Sequence, residues 1–228
     1  MSGGTTRPGA AVGLGTAAAV CLLLAGCGGG SGSGGSDESG PSETVTTAAA
    51  TAPTGATASA TQAARPDAPE FDLPSGLTAD FKGFKSGDAN TQAALTDATY
   101  AATAILEFQG KTYTTETPNF KRFWSGPKGA GYADTIVSEG RDGNVITGAY
   151  HYYKPVVKSL QGGHVSVRYC EDQRKGYLKD PRTGKVFVTT PALKDFRLWT
   201  LAMAKGSGGD WQVYDYTWVK GSKACQVA

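Results

Sequence analysis

Trp211-Gln212-Val213-Tyr214-Asp215-Tyr216-Thr217-Trp218-Val219-Lys220 is a ten-residue run of aromatic and β-branched side chains without Gly or Pro. It follows a turn at Gly206 to Asp210, so it reads as a strand. Strict alternation places Trp211, Val213, Asp215, Thr217 and Val219 on one face and Gln212, Tyr214, Tyr216 and Trp218 on the other. Working outward, Arg197 to Lys205 is a second strand. Val165, Val167 and Tyr169 alternate with Ser166, Arg168 and Cys170 in a third. Gly176 to Lys179 and Val186 to Val188 flank the turn Asp180-Pro181-Arg182-Thr183-Gly184. Gln161-Gly162-Gly163 separates these from a long Tyr- and Val-rich strand, Val145 to Leu160, which Pro155 breaks or bulges. Beyond Asp142-Gly143-Asn144, another turn signal, Ala133 to Glu139 is expected as a further strand.

Ahead of the strands the period changes. Ala94, Leu95, Ala98, Ala101, Ala102, Ile105 and Phe108 recur at helical spacing between Asn90 and Phe108, with Asp88 as N-cap and Gly110 as stop. A short helix, Pro118 to Trp124, turns Phe120, Phe123 and Trp124 inward. Helices followed by antiparallel strands define an α+β class, N-terminal helices on a curved antiparallel sheet.

The chain has 228 residues, yet every Trp, Tyr and Phe lies at or beyond Phe71. Three regions follow: 1–26, 27–69 and 70–228. In the first, Arg7 precedes an apolar stretch from Ala10 to Ala25 that is too short for an anchored spanning helix. It has the layout of a secretory signal peptide. Its end, Leu24-Ala25-Gly26-Cys27, resembles the bacterial lipobox. That resemblance implies diacylglycerol on the Cys27 thiol and cleavage before it. Two acyl chains hold a protein stably at a membrane, since each buried methylene contributes about 0.8 kcal/mol. The second region is Gly/Ser-rich and then Ala/Thr-rich. It cannot bury enough surface to offset its ordering entropy and is expected as a disordered leash. About 42 residues of such coil reach roughly 35 Å. Its Ser, Thr and Pro content also suits O-glycans. The third region is long enough for one substantial core.

Four cysteines are present. Cys21 leaves with the signal peptide and Cys27 takes lipid. Cys170 and Cys225 remain as an even pair in an exported domain, which reads as a disulfide.

The strand order, the stretch from Tyr169-Cys170-Glu171-Asp172 through the Asp180 to Gly184 turn, Asp210-Trp211-Gln212-Val213, and Cys225 resemble the cone-shaped NTF2-like (SnoaL-like) domains of actinobacterial secreted lipoproteins. With the N-terminal helix, the likeness covers about 90 to 226. It implies a sheet wrapped round the helix, a pocket between them, and the same Cys170–Cys225 bridge.

Chemistry is sparse in this sequence. There is no HxxxH or clustered Cys, so no metal site is expected, and no phosphate-cradling glycine loop at a strand–helix junction, so no cofactor. No basic stripe interleaved with aromatics marks a nucleic-acid groove, and no nucleic-acid partner is expected. His151, in Tyr150-His151-Tyr152-Tyr153, is a general base if a carboxylate stands beside it and otherwise a packed or exposed strand histidine. His164 is expected at the surface. Asp215 is a desolvated base if it faces the cone interior, and a surface carboxylate if its face is the outer one. Asp97 and Tyr100, on the first helix, point into the same interior. Tyr100 and Tyr152 are the pocket candidates, and Asp172 caps a turn. The resulting expectation is a membrane-tethered extracytoplasmic lipoprotein of the cell membrane. It has a non-enzymatic binding or scaffold domain for an envelope protein or small apolar ligand. The alternative is a SnoaL-like cyclase or isomerase using a cavity carboxylate.

Overall fold

The computed structural model describes residues 67–111, 116–159 and 161–227, all within the unit Pro53–Ala228. The signal peptide, Cys27 and all but the end of the expected leash lie outside these residues. No described helix is long and apolar enough to cross a membrane.

Helix α1 (Ala89–Lys111) begins where the Asp88 carboxylate accepts the Thr91 N–H at 2.8 Å, which supplies an orphan donor with a partner and marks the N-terminus. From Ala94 to Gly110 most of it is buried. Its many alanines keep it thin enough to run through the core. Helix α2 (Pro118–Phe123) is capped by Thr117, whose hydroxyl accepts from Phe120 N–H. Phe120, Phe123 and Trp124 are buried, as their spacing requires.

Helix α3 (Gly126–Glu139) corrects the expected strand at Ala133 to Glu139. The β-branched run Thr135-Ile136-Val137 suggests extension, but Gly129, Tyr132, Ala133 and Ile136 are the buried residues, a three-to-four spacing that gives one helical stripe. Tertiary packing of that stripe outweighs the weak local preference of two or three β-branched residues.

The sheet has six strands: β1 (Leu77–Phe81), β2 (Val145–Ser159), β3 (Val165–Lys179), β4 (Val186–Phe187), β5 (Phe196–Lys205) and β6 (Trp211–Lys220). Their order is β1-β2-β3-β5-β6, with β4 on β3. Strands β2, β3, β5 and β6 form an antiparallel meander, but β1 runs parallel to β2, pairing Leu77 with Gly148 and Phe81 with Tyr152. The sheet is therefore mixed rather than wholly antiparallel. The β3 strand is continuous through Glu171 to Lys175 where two separate strands were expected. The break expected at Pro155 is a register shift between Tyr153 and Val156.

A bulge decides the faces of β6. Asp215 pairs with Ala202 and Val213 with Met203, so Tyr214 is the extra residue. Trp211 and Val213 face the core before it. Tyr216 and Trp218 pack on that same core after it. The simple alternation expected for this strand therefore holds only on each side of Tyr214.

β6 ends the sheet, and its edge is covered. Ser125 N–H donates to Val213 O at 2.9 Å, and Gln212 Nε2 donates to Arg122 O at 2.7 Å. The first turn of α3 lies so close that a Cβ on Gly129 would sit 2.1 Å from Val213 O. On the outer face, Cys170 and Cys225 are bonded, with Phe196 against them. The enclosed 55-residue separation corresponds to about 4 kcal/mol of chain-entropy stabilisation.

Gly129→Ala is expected to lower stability by about 1–3 kcal/mol in urea unfolding, because α3 must move off β6 to admit the methyl group. Gly131→Ala, in the same helix with open space around it, is expected to raise stability by up to about 1 kcal/mol. Equal effects at the two positions would refute the close α3–β6 contact.

Candidate functional site

Two places gather polar side chains: the inner face of the sheet around Glu171, and a groove on the outer face beside β1 and β2.

Glu171 continues the inward series Val165, Val167, Tyr169, and it is 3 % exposed. Its Oε1 accepts from the Tyr152 hydroxyl at 3.1 Å and its Oε2 from Trp199 Nε1 at 2.7 Å. Around it the rings are in contact. Tyr132 lies 5.9 Å from Trp199 and 4.7 Å from Tyr216, and Tyr152 lies 5.8 Å from Tyr169 and 4.7 Å from Phe81. Burial pushes the Tyr152 and Tyr169 phenols well above the ordinary tyrosine range, with the nearby Glu171 charge adding to it. These phenols therefore stay protonated at neutral pH. The Tyr169 hydroxyl is buried without a hydrogen-bond partner, as is Nε of Arg197, the residue opposite Glu171 in the β3–β5 register. The sequence signal for Glu171 was available: alternation from Val165 puts a carboxylate on an apolar face.

Of the candidate acids, the interior holds Asp97 but not Asp215. Asp215 sits on the outer side of the bulge. It is ion-paired with Lys128 at 2.8 Å, and that hydrogen bond, against a small opposing effect of burial, lowers its pKa. This is the reverse of the desolvated base considered for an inward Asp215. Asp97 is fully buried and accepts the Trp211 N–H at 2.8 Å, which fixes the start of β6. Tyr100 is half-buried between Phe71 and Phe123, 6.0 and 5.5 Å away. His164 is half-buried, with Nδ1 3.2 Å from the Tyr214 hydroxyl.

The outer groove has a volume of about 570 Å³ and a mainly apolar lining. Pro155 and Val227 give it apolar walls, and Asp80, Lys82, His151, Lys154 and Asp172 give it polar ones. Tyr152 also lines it; Tyr100 does not. His151 Nδ1 is 3.5 Å from Asp80 Oδ2, and both side chains are about half exposed. The parallel pairing of β1 on β2 creates this proximity by setting Asp80 opposite His151. The carboxylate on which a general-base role depends thus stands beside His151, which is itself a half-exposed strand histidine on the outer face. Asp172 is mid-strand rather than capping a turn. Burial raises its pKa, but Arg174 donates from its backbone N–H, Nε and Nη2 at 2.9 to 3.1 Å, and the net shift is downward.

One backbone feature marks the groove. Lys154 has φ of 54°, the only non-glycine residue in the left-handed region among those described. Such a conformation costs about 1–3 kcal/mol and persists only where surroundings impose it. Here Lys154 Nζ donates to Ala224 O at 3.1 Å and the Tyr153 hydroxyl donates to Cys225 O. The bulged strand and the C-terminal segment are thereby tied together, and the disulfide fastens that segment to β3.

Among the described residues no group of three His, Cys, Asp or Glu side chains is placed to hold a metal ion. No protein-family model matches the chain, and neither the curated proteins nor the solved structures contain a match.

Glu171→Leu should destabilise the fold by about 2–4 kcal/mol, since it orphans the Tyr152 and Trp199 donors. Glu171→Gln, which keeps one acceptor, should cost about 1 kcal/mol. Urea unfolding monitored by tryptophan fluorescence distinguishes them. Asp172→Asn should lower stability by about 1 kcal/mol, modest because Arg174 is over a third exposed and water screens the pair. A lowered folded pKa stabilises above the unfolded value and loses that contribution as pH falls. The gap between wild type and Asp172→Asn should therefore be full above the ordinary value of 3.8 and close as pH falls below it. A gap independent of pH would exclude the charged pair as its cause.

Proposed function

We propose that this protein is a lipoprotein held at the extracytoplasmic face of the cell membrane through lipid on Cys27, with an NTF2-like domain that binds a small apolar ligand without transforming it. The NTF2-like reading is supported by α1 lying along the inner face of the β2-β3-β5-β6 meander, and by the disulfide from β3 to the segment past β6. The observation that carries the binding reading is the outer groove. Its volume suits a small molecule, its walls are largely apolar, and a few polar groups stand at its rim, the usual makeup of a ligand site. Asp80 and Asp172 in the same lining are engaged by His151 and Arg174, and Lys154 by Ala224 O, so Lys82 is the group that favours a ligand whose apolar body ends in an acidic group.

The full-length protein in detergent, titrated with medium-chain carboxylic acids, should gain thermal stability through binding the folded state. Val227→Asp should abolish the gain while leaving the unliganded melting temperature within a few degrees. No shift with any acid, or a shift unaffected by Val227→Asp, would reject the groove. Cys27→Ala should lose incorporation of labelled fatty acid and leave the membrane fraction. Retention of both label and membrane would reject the anchor.

A second reading, a SnoaL-like small-molecule enzyme, rests on the buried Glu171 beside the unpartnered Tyr169 hydroxyl. Turnover lost in Glu171→Gln with the fold intact would establish it in place of pure binding.

A further inference from the structure

Residues 181–194 form the longest unbroken run of exposed residues among those described. They project from the end of β3 as a hairpin held by two rungs, Leu178↔Phe187 and Lys179↔Val186. Of the eight exposed large apolar side chains among the described residues, four are here, Val186, Phe187, Val188 and Leu193, with Val188 exposed to 72 %, and a fifth, Leu178, faces Phe187 across the hairpin. Soluble surfaces scatter such residues singly, and a cluster along one exposed segment marks an interaction surface.

Charge separates the possible partners. Residues 175–194 contain Lys175, Lys179, Arg182, Lys185 and Lys194 against Asp180 alone, a net of +4. From residue 70 to the end the chain holds 20 basic and 16 acidic residues, also +4. Without Lys175, which belongs to the β2–β3 ladder, residues 178–194 still carry +3 of that excess. Lys185 Nζ lies 5.1 Å above the Phe187 ring, so cation and apolar group stand side by side on the hairpin.

We propose that this hairpin docks on the surface of a bilayer containing anionic lipids. Leu178, Val186, Phe187 and Val188 enter the headgroup boundary, and the surrounding lysines and Arg182 meet lipid phosphates. Apolar insertion and electrostatic attraction reinforce each other in such elements. A folded protein partner would ask for a shaped, well-supported surface, whereas a two-rung hairpin with a basic turn and exposed apolar arms matches a soft, uniformly anionic one. The inference does not rest on lipid at Cys27, and the test removes that residue so the two can fail separately.

The full-length Cys27→Ala protein is floated with vesicles of phosphatidylcholine alone or of equal parts phosphatidylcholine and phosphatidylglycerol. The expected result is binding to the mixed vesicles, at least about tenfold weaker binding to the neutral ones, and weakening as salt screens the lysines. Each Lys or Arg near an anionic surface strengthens partition about fivefold. Lys185→Glu should therefore weaken binding at least about tenfold. Phe187→Ser with Val188→Ser should do the same at unchanged melting temperature, because these side chains are outside the core. Lys158→Glu makes the same charge change at the opposite end of β2 and should leave binding within about twofold. No binding to mixed vesicles, equal binding to both kinds, or equal losses from Lys158→Glu and Lys185→Glu would overturn the proposal.

Discussion

The extra residue at Tyr214 governs the arrangement of the rest of the sheet. Without it, Tyr216 and Trp218 would turn outward and Asp215 and Thr217 inward, placing an unpaired carboxylate against the Trp124 and Tyr132 rings. With it, those rings meet Tyr216 at 5.5 and 4.7 Å, and Asp215 reaches Lys128 at the surface. The bulge also aims Val213 O at the start of α3. That hydrogen bond from Ser125 N–H closes an edge that would otherwise offer free backbone groups to another chain. Choice of face, helix placement and edge protection thus depend on one local irregularity.

Buried carboxylates serve the same end elsewhere. Asp97, Glu107 and Glu171 are each almost wholly removed from solvent, and each accepts from donors far away in sequence. Asp97 joins α1 to β6. Glu107 joins α1 to the Asp72 backbone and to Asn119 of α2. Glu171 joins β3 to β2 and β5. A buried acceptor that loses its donors is costly, so these contacts select one arrangement among many that an alanine-rich helix could accept.

The sequence made the α+β class, helices α1 and α2, and most strand positions legible, because long periodic runs, caps and turn residues act locally. The failures share a physical origin. Helix α3 was obscured by Thr135-Ile136-Val137, whose local preference yields to burial of Tyr132, Ala133 and Ile136. Strand β1 is five residues long, and its parallel pairing with β2 is a contact across some seventy residues that no local pattern encodes. Which of the two readings of Asp215 holds was not legible for the same reason: the bulge that turns it to the outer face is a property of two strands in register. His151 was recognised as needing a carboxylate, but Asp80 lies far away in the chain and meets it only through that parallel pairing. Glu171, by contrast, was readable from the alternation of β3.

The disulfide has a consequence beyond stability. Val227, one wall of the outer groove, lies two residues past Cys225. Its position is set by that bond together with two hydrogen bonds to carbonyls of Ala224 and Cys225. With the two thiols reduced, the polypeptide loses the covalent hold on that wall. The groove therefore carries a dependence on redox conditions: its finished shape is reached only where the two cysteines are oxidised.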